Sequence, residues 1–182
     1  MKKICQGLTP LIVIALVLVA CGPGSGSGDK MPEETTWNLD SFMDAEYQTQ
    51  WTPEGRVRLQ SGEYRAPAAP GSASEIVVAL TEHFTVGELN GENAAAVILY
   101  SSGGGSGTFY ELHVMVERDS QPYDIAWTQL GDRVQINSLA IEGNEIVVDM
   151  VTQGPDDPMC CPTKQVVQTY ALRGETLVQT SE

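Results

Sequence analysis

The sequence predicts a mainly β fold: an antiparallel barrel or sandwich of about nine short strands, preceded by a short N-terminal helix. Three observations lead there. From residue 75 onward, apolar residues alternate or run in blocks of strand length. Turn residues recur at roughly eight- to twelve-residue intervals, the spacing of antiparallel sheets. No strand is followed by the helical pattern of a βαβ unit.

The elements follow in order. Leu39, Phe42, Met43 and Tyr47 recur at helical spacing, with Asn38, Asp40 or Ser41 available as a cap, so a short amphipathic helix is expected. Trp51-Thr52-Pro53 ends it, and Glu54-Gly55 reads as a turn. Residues 56–60 alternate as a strand, Ser61-Gly62 turns, and 63–65 form another. Residues 66–74, with two prolines and a glycine, are a loop. Ile76-Val77-Val78-Ala79-Leu80 is a near-continuous apolar run, as expected of a strand covered on both faces. Residues 83–89 read as its partner, and 94–101 as the next strand. Ser102 to Gly107 is a glycine-rich connection.

Residues 108–118 alternate with period two. Tyr110, Leu112, Val114 and Val116 share a core face, while Phe109, Glu111, His113, Met115 and Glu117 share a mixed face expected to be partly wet. Strands at 123–130, 134–142 and 145–152 follow, the last two joined at Gly143-Asn144. Residues 153–163, QGPDDPMCCPT, form an irregular loop with three prolines. Residues 164–173 and 175–180 close the chain as a hairpin around Gly174.

The first 36 residues are of a different kind. Lys2 and Lys3 precede an uncharged apolar run from Leu11 to Ala20, the length of a secretory signal and too short to span a bilayer. Leu18-Val19-Ala20-Cys21 matches the bacterial lipobox, whose cysteine receives a diacylglycerol and further acyl chains such as palmitate. An ordinary cleaved signal followed by a chance cysteine is the alternative. Two or three acyl chains anchor firmly, because each buried methylene contributes roughly 0.8 kcal/mol. Residues 1–20 are therefore expected to be a lipoprotein signal peptide. Residues 21–36 read as a flexible Gly/Ser and acidic tether, and 37–182 as a single β domain. The expected location is the extracytoplasmic face of the cell membrane, with the membrane itself a partner through lipid on Cys21.

The chain has 182 residues, with ten basic and 24 acidic side chains and a formal charge of −14. Two lysines and no acid leave with the signal, so the mature 162 residues carry eight basic and 24 acidic groups, a formal −16. That balance argues against nucleic acid and against an electrostatic grip on anionic lipid, both of which need clustered Lys or Arg. A solvated acidic surface is the plain account, and a cation-binding surface the sharper one.

Once Cys5 is removed and Cys21 acylated, only Cys160 and Cys161 remain, adjacent in a compartment where disulfides persist. Three readings stay open: a structural disulfide rigidifying a proline-rich loop, a pair of reduced buried thiols, or a redox- or metal-linked role. Two thiolates alone do not complete a zinc site, and neither His83 nor His113 stands at ligand spacing from them.

The stretches GELNGENAAAVIL (87–99), GGSGTFYEL (104–112), LGDRV (130–134), and DPMCCPT with QTYAL (157–172) occur together in this order. In this the chain resembles a family of uncharacterised bacterial lipoproteins, over roughly residues 37–178. The resemblance implies a shared exported single-domain fold and anchoring, and no activity. Relatives often carry a calcium-loop pattern in the first motif. Here Glu88, Asn90 and Glu92 keep some oxygen ligands, but Asn93 stands where glycine is expected, and Ala94, Ala95 and Ala96 where further acids would be. Ca²⁺ takes about six to eight oxygens, so a plain β-turn is the better account.

No catalytic set emerges. SGGGSG lacks the lysine and following helix of a phosphate-binding loop. Ser106 in G-G-S-G-T is not a nucleophile elbow, which needs an α/β sheet. Asp156-Asp157, beside prolines, reads as a solvated turn. His113, beside Glu111, Met115 and Glu117, and His83, beside Glu82, read as residues of exposed strand faces. No cofactor is expected. The sequence therefore points to a non-catalytic binding or envelope-interaction module of undefined protein or small-molecule ligand. Its rivals are a redox- or metal-linked cysteine loop and a hydrolase whose groups converge only in three dimensions.

Overall fold

The computed structural model describes residues 37–181, so the signal segment, the lipobox with Cys21 and the tether all lie outside the described residues. The described chain forms eleven strands: β1 (Glu46–Gln48), β2 (Arg56–Arg58), β3 (Glu63–Pro67), β4 (Glu75–Leu89), β5 (Glu92–Gly103), β6 (Phe109–Arg118), β7 (Gln121–Asp132), β8 (Gln135–Glu142), β9 (Glu145–Thr152), β10 (Lys164–Arg173) and β11 (Thr176–Ser181). They make a five-stranded sheet in the order β3-β4-β5-β6-β7, a four-stranded sheet β11-β10-β9-β8, and a two-stranded ribbon β1-β2. Every pairing is antiparallel.

Tight turns set the registers. Asn90-Gly91 joins β4 to β5, Asp119-Ser120 joins β6 to β7, and Gly143-Asn144 joins β8 to β9, each pair with both φ values positive. This is the two-residue turn whose twist matches that of the strands it connects, and Asn, Asp and Gly reach it at least cost.

The five-stranded sheet buries both faces. One packs against the four-stranded sheet, bringing Ala94, Ala96, Ile98, Leu112, Val114 and Val116 against Ile146, Val148, Met150, Val166, Tyr170 and Leu172. The other is covered by the N-terminal arm, residues 37–60, whose Phe42, Ala45, Tyr47, Val57 and Leu59 pack on Val78, Ala95, Val97, Leu99 and Met115. The strand enclosed on both sides is thus β5, where residues 94–99 are all fully buried. Three consecutive alanines there leave room for the bulkier side chains of the covering layers. In the run Ile76 to Leu80, expected to be doubly covered, Val78 and Ala79 are buried but Ile76, Val77 and Leu80 are only partly so, because the strand lies nearer the sheet's edge, next to β3.

Two expected elements take another form. The predicted amphipathic helix is a single 3₁₀ turn, Leu39–Phe42, capped reciprocally by Asn38 and Ser41, and Tyr47 sits in β1 instead. Phe42 and Tyr47 do share a buried face, but the chain reaches it by a turn followed by a strand, so the apolar spacing mimicked a helix. The predicted strands 75–81 and 83–89 are one strand, β4, carrying an irregularity between Leu80 and Phe84. There the Thr81 hydroxyl donates to the Ile98 carbonyl at 2.7 Å and accepts from the His83 amide at 3.2 Å, standing in for the broken ladder.

Ile98 is fully buried between the two sheets, whereas Val167 on β10 is about half exposed. Ile98→Ala is therefore expected to cost roughly 2–5 kcal/mol in urea unfolding, and Val167→Ala less than about 0.5 kcal/mol.

Candidate functional site

Two features stand out: an open groove at the double-cysteine loop and a closed polar cluster beneath the N-terminal arm. The groove, of about 440 Å³, is lined by Ser106, Gly107, Phe109, Asp132, Arg133, Met159 and Cys160. These residues come from three separate stretches of sequence: the glycine-rich connection before β6, the LGDRV segment ending β7, and the MCC tip of the 153–163 loop. Arg133 joins them. Its guanidinium donates to the Met159 carbonyl at 3.1 Å, to the Ser106 carbonyl and to the Asp132 carboxylate. Asp132 in turn accepts from the Thr108 amide at 2.8 Å, while the Arg133 amide donates to the Thr108 carbonyl at 2.7 Å.

The 153–163 loop has its own frame. Asp157 accepts from the amides of Gly154 and Thr163 at 2.8 and 2.6 Å and from the Thr163 hydroxyl at 2.7 Å. The Thr163 hydroxyl and then the Gly154 amide hold its carboxyl below the usual carboxylate range. The Gln153 side-chain amide donates to the Asp157 and Pro158 carbonyls at 3.0 and 2.9 Å. Asp157 is thus a structural clasp rather than the solvated turn residue expected, because its two oxygens reach both ends of the loop. Cys160 and Cys161 are bonded to each other, with Cα atoms 3.8 Å apart, and both are exposed.

Behind the groove stands Trp51. Its ring lies 5.5 Å from that of Phe109, and its indole N–H donates to Ser101 Oγ at 2.7 Å. A Cβ on Gly103 would fall 2.2 Å from the Trp51 ring, so only glycine permits this approach. Ser101 passes the contact inward by donating to Glu111 Oε1 at 2.8 Å.

Glu111 opens the second feature. His113 Nε2 lies 3.7 Å from Glu111 Oε2, and His113 Nδ1 lies 3.0 Å from Asp124 Oδ2. Asp124 Oδ2 also accepts from the Gln48 amide at 2.7 Å, and the Asp124 carbonyl from Arg56 at 3.4 Å. The His113 imidazole stacks on Trp127, centroids 5.9 Å apart, and meets the Tyr47 ring edge-on at 5.4 Å. Glu111, His113 and Asp124 are all essentially inaccessible to solvent.

This overturns the expectation that His113 and Glu111 sit on a partly wet, exposed face. The arm of residues 37–60 covers that face, and nothing in the alternation of β6 announces a cover arriving from 60 residues earlier. Asp124 was missed for a second reason. The β6–β7 register slips between Val114 and Met115, so Met115 pairs with Asp124 and Ile125 is extra. Without that bulge Asp124 would face the opposite core. The one legible signal was Glu111 and His113 at i and i+2 between Phe109 and Met115, a polar pair amid core-forming residues.

The other sequence candidates take plain roles. Glu88 and Glu92 flank the Asn90-Gly91 turn, where the Asn90 side chain donates to the Leu172 carbonyl at 3.0 Å and accepts from Asn144 at 3.2 Å. Among the described residues no group of three or more His, Cys, Asp or Glu is placed to hold a metal ion. His83 is partly buried within the β4 irregularity. Cys21 lies outside the described residues. No family model, curated protein or solved structure matches the chain.

Burial, the largest influence on His113, works to lower its pKa. It is outweighed by the charge and hydrogen bond of Asp124 and then by Glu111, so the imidazole is pushed up to about 9. Burial, and then the charge of Asp124, raise the Tyr47 phenol, which donates to the Phe42 carbonyl at 3.0 Å. A folded-state pKa above the unfolded value of about 6.5 means that the cluster's contribution is complete below that pH and fades as pH rises through about 9. Urea unfolding is therefore expected to show stability falling between pH 6.5 and 9.5 by on the order of 3 kcal/mol. In His113→Gln the fall that follows the imidazole's titration should be lost, on top of a lower overall stability from stranding the carboxylates.

Proposed function

We propose that the chain is a lipid-anchored extracytoplasmic protein acting as a non-catalytic binding or envelope-interaction module, with the groove at the double-cysteine loop as its ligand surface. The observation that carries this reading is the meeting of three distant motifs around one open groove. A loop-built surface on a rigid β scaffold is a common arrangement for binding sites. The volume of about 440 Å³ falls within the range of small-molecule sites. Its lining mixes two kinds of residue: Phe109, Met159 and Cys160 are apolar or soft, and Ser106, Asp132 and Arg133 are polar or charged. Such a pairing suits a small solute with one apolar ring face and a polar edge. His113 is closed off beneath the arm and takes no part in this surface.

The lipobox and apolar leader support the anchoring half of the proposal, and the acidic mature chain makes lipid, rather than surface charge, the expected means of membrane attachment. Cys21→Ala should move the protein from the membrane fraction to the soluble fraction, and wild-type protein without acyl mass on Cys21 would defeat that half. For the groove, amide NMR shifts would be followed on adding benzoate as an anionic ring probe and methyl glucoside as a neutral one. Shifts centred on Ser106, Gly107, Arg133 and Met159, and lost in Arg133→Ala, are expected for at least one probe. Shifts scattered over the surface, or none, would defeat it.

A further inference from the structure

We propose that Met159, Cys160 and Cys161 form a soft-metal site that opens when their disulfide is reduced and then takes one Cu(I) ion. The three sulfur residues are consecutive at the tip of the 153–163 loop. Met159 is 81% exposed and both cysteines are exposed, so none of the three is consumed in core packing. Thioether and thiolate are the ligand types that select Cu(I), while hard cations prefer oxygen and structural zinc takes four donors, typically thiolate and imidazole. The two sulfurs are bonded to each other in this conformation of the loop, so the same backbone can present both thiolates to one ion once the bond is opened.

The surroundings suit such a change. The clasp made by Asp157, Gln153 and Thr163 holds the base of the loop without using either sulfur, so opening the disulfide leaves the loop's frame in place. Two thiolates with one Cu(I) carry a net single negative charge, and the Arg133 guanidinium is fixed beside it through the Met159 carbonyl. The steps balance as follows. A dithiol reductant delivers two electrons and two protons to the Cys160–Cys161 disulfide, giving two thiols and becoming a disulfide itself. Cu(I) then displaces both thiol protons to solvent and draws the Met159 thioether as its third ligand. The site closes when a disulfide of another molecule takes the two electrons back, re-forming the Cys160–Cys161 bond, becoming a dithiol itself and releasing Cu(I). The groove need not bind an organic ligand for this to hold.

The test uses the full-length chain purified in detergent, reduced with a phosphine that is then removed under argon, and titrated with Cu(I) against the colorimetric chelator bicinchoninate. Reduced wild type should withhold one equivalent of Cu(I) per chain, while the disulfide form withholds no more than a Cys160→Ser/Cys161→Ser double variant. Met159→Leu should weaken binding on the order of tenfold and Cys161→Ser on the order of a hundredfold. All these positions are exposed, and an unchanged β-type circular dichroism spectrum would show that the variants fold. Reduced wild type binding no tighter than the double serine variant would overturn the site, as would Met159→Leu binding as tightly as wild type. Repeating the benzoate and methyl glucoside titrations on the same variants keeps a failure here separate from a failure of the groove.

Discussion

The structure depends on one constraint: the five-stranded sheet is apolar on both faces, so it needs two covers. The second sheet supplies one, through Ile146, Val148 and Met150 against Ile98, Leu112 and Val114. The N-terminal arm supplies the other, and it is a thin cover, made of one 3₁₀ turn and a ribbon of two three-residue strands. A layer so slight cannot bury the face by apolar contact alone. Phe42, Tyr47 and Leu59 fill the middle, but Glu111, His113 and Asp124 lie under the same arm and must be satisfied there.

That satisfaction comes from the arm to the sheet. Gln48 gives its amide to Asp124, Trp51 gives its indole N–H to Ser101, and Tyr47 sets its ring edge on His113. Three atoms of the cluster, Glu111 Oε2, His113 Nε2 and Asp124 Oδ1, have no hydrogen-bond partner, which leaves the imidazolium and its two carboxylates to compensate one another. A buried ion cluster of this kind contributes little net stability relative to an apolar replacement, yet stranding one member is costly. An arm slipped by one residue would withdraw the Gln48 amide from Asp124.

How much of this was legible in the sequence follows from the range of the interactions involved. The two-residue turns at Asn90-Gly91 and Gly143-Asn144 and the strands they join are local, and composition shows them plainly. The alternation of β6 correctly separated Leu112, Val114 and Val116 from Glu111, His113 and Met115. It could not show that the second set is also buried, because the cover is encoded at residues 37–60. The joining of 75–81 to 83–89 depends on a hydroxyl of Thr81 replacing ladder bonds, and the placing of Asp124 depends on one extra residue at Ile125. A bulge shifts every later side chain without altering composition. The MCC tip is plain in the sequence, but its convergence with SGGGSG and LGDRV rests on Arg133 reaching two carbonyls at once.

The groove and the buried cluster are joined through Trp51 and Ser101. Trp51 belongs to the arm, bonds Ser101 above Glu111, and lays its ring beside Phe109, which lines the groove. Gly103 lets it sit there, since any larger residue would meet its ring. The lining of the groove at Phe109 is therefore held in part by the same arm that closes over the charge cluster. The arm is also the first described segment of the chain. If the arm lifted, Trp51 would leave Ser101 and Phe109 together, exposing the carboxylates and removing the groove's aromatic support in one event. Attachment of the arm is for that reason a condition of the groove's shape, and the polar contacts beneath it act on the groove without touching it.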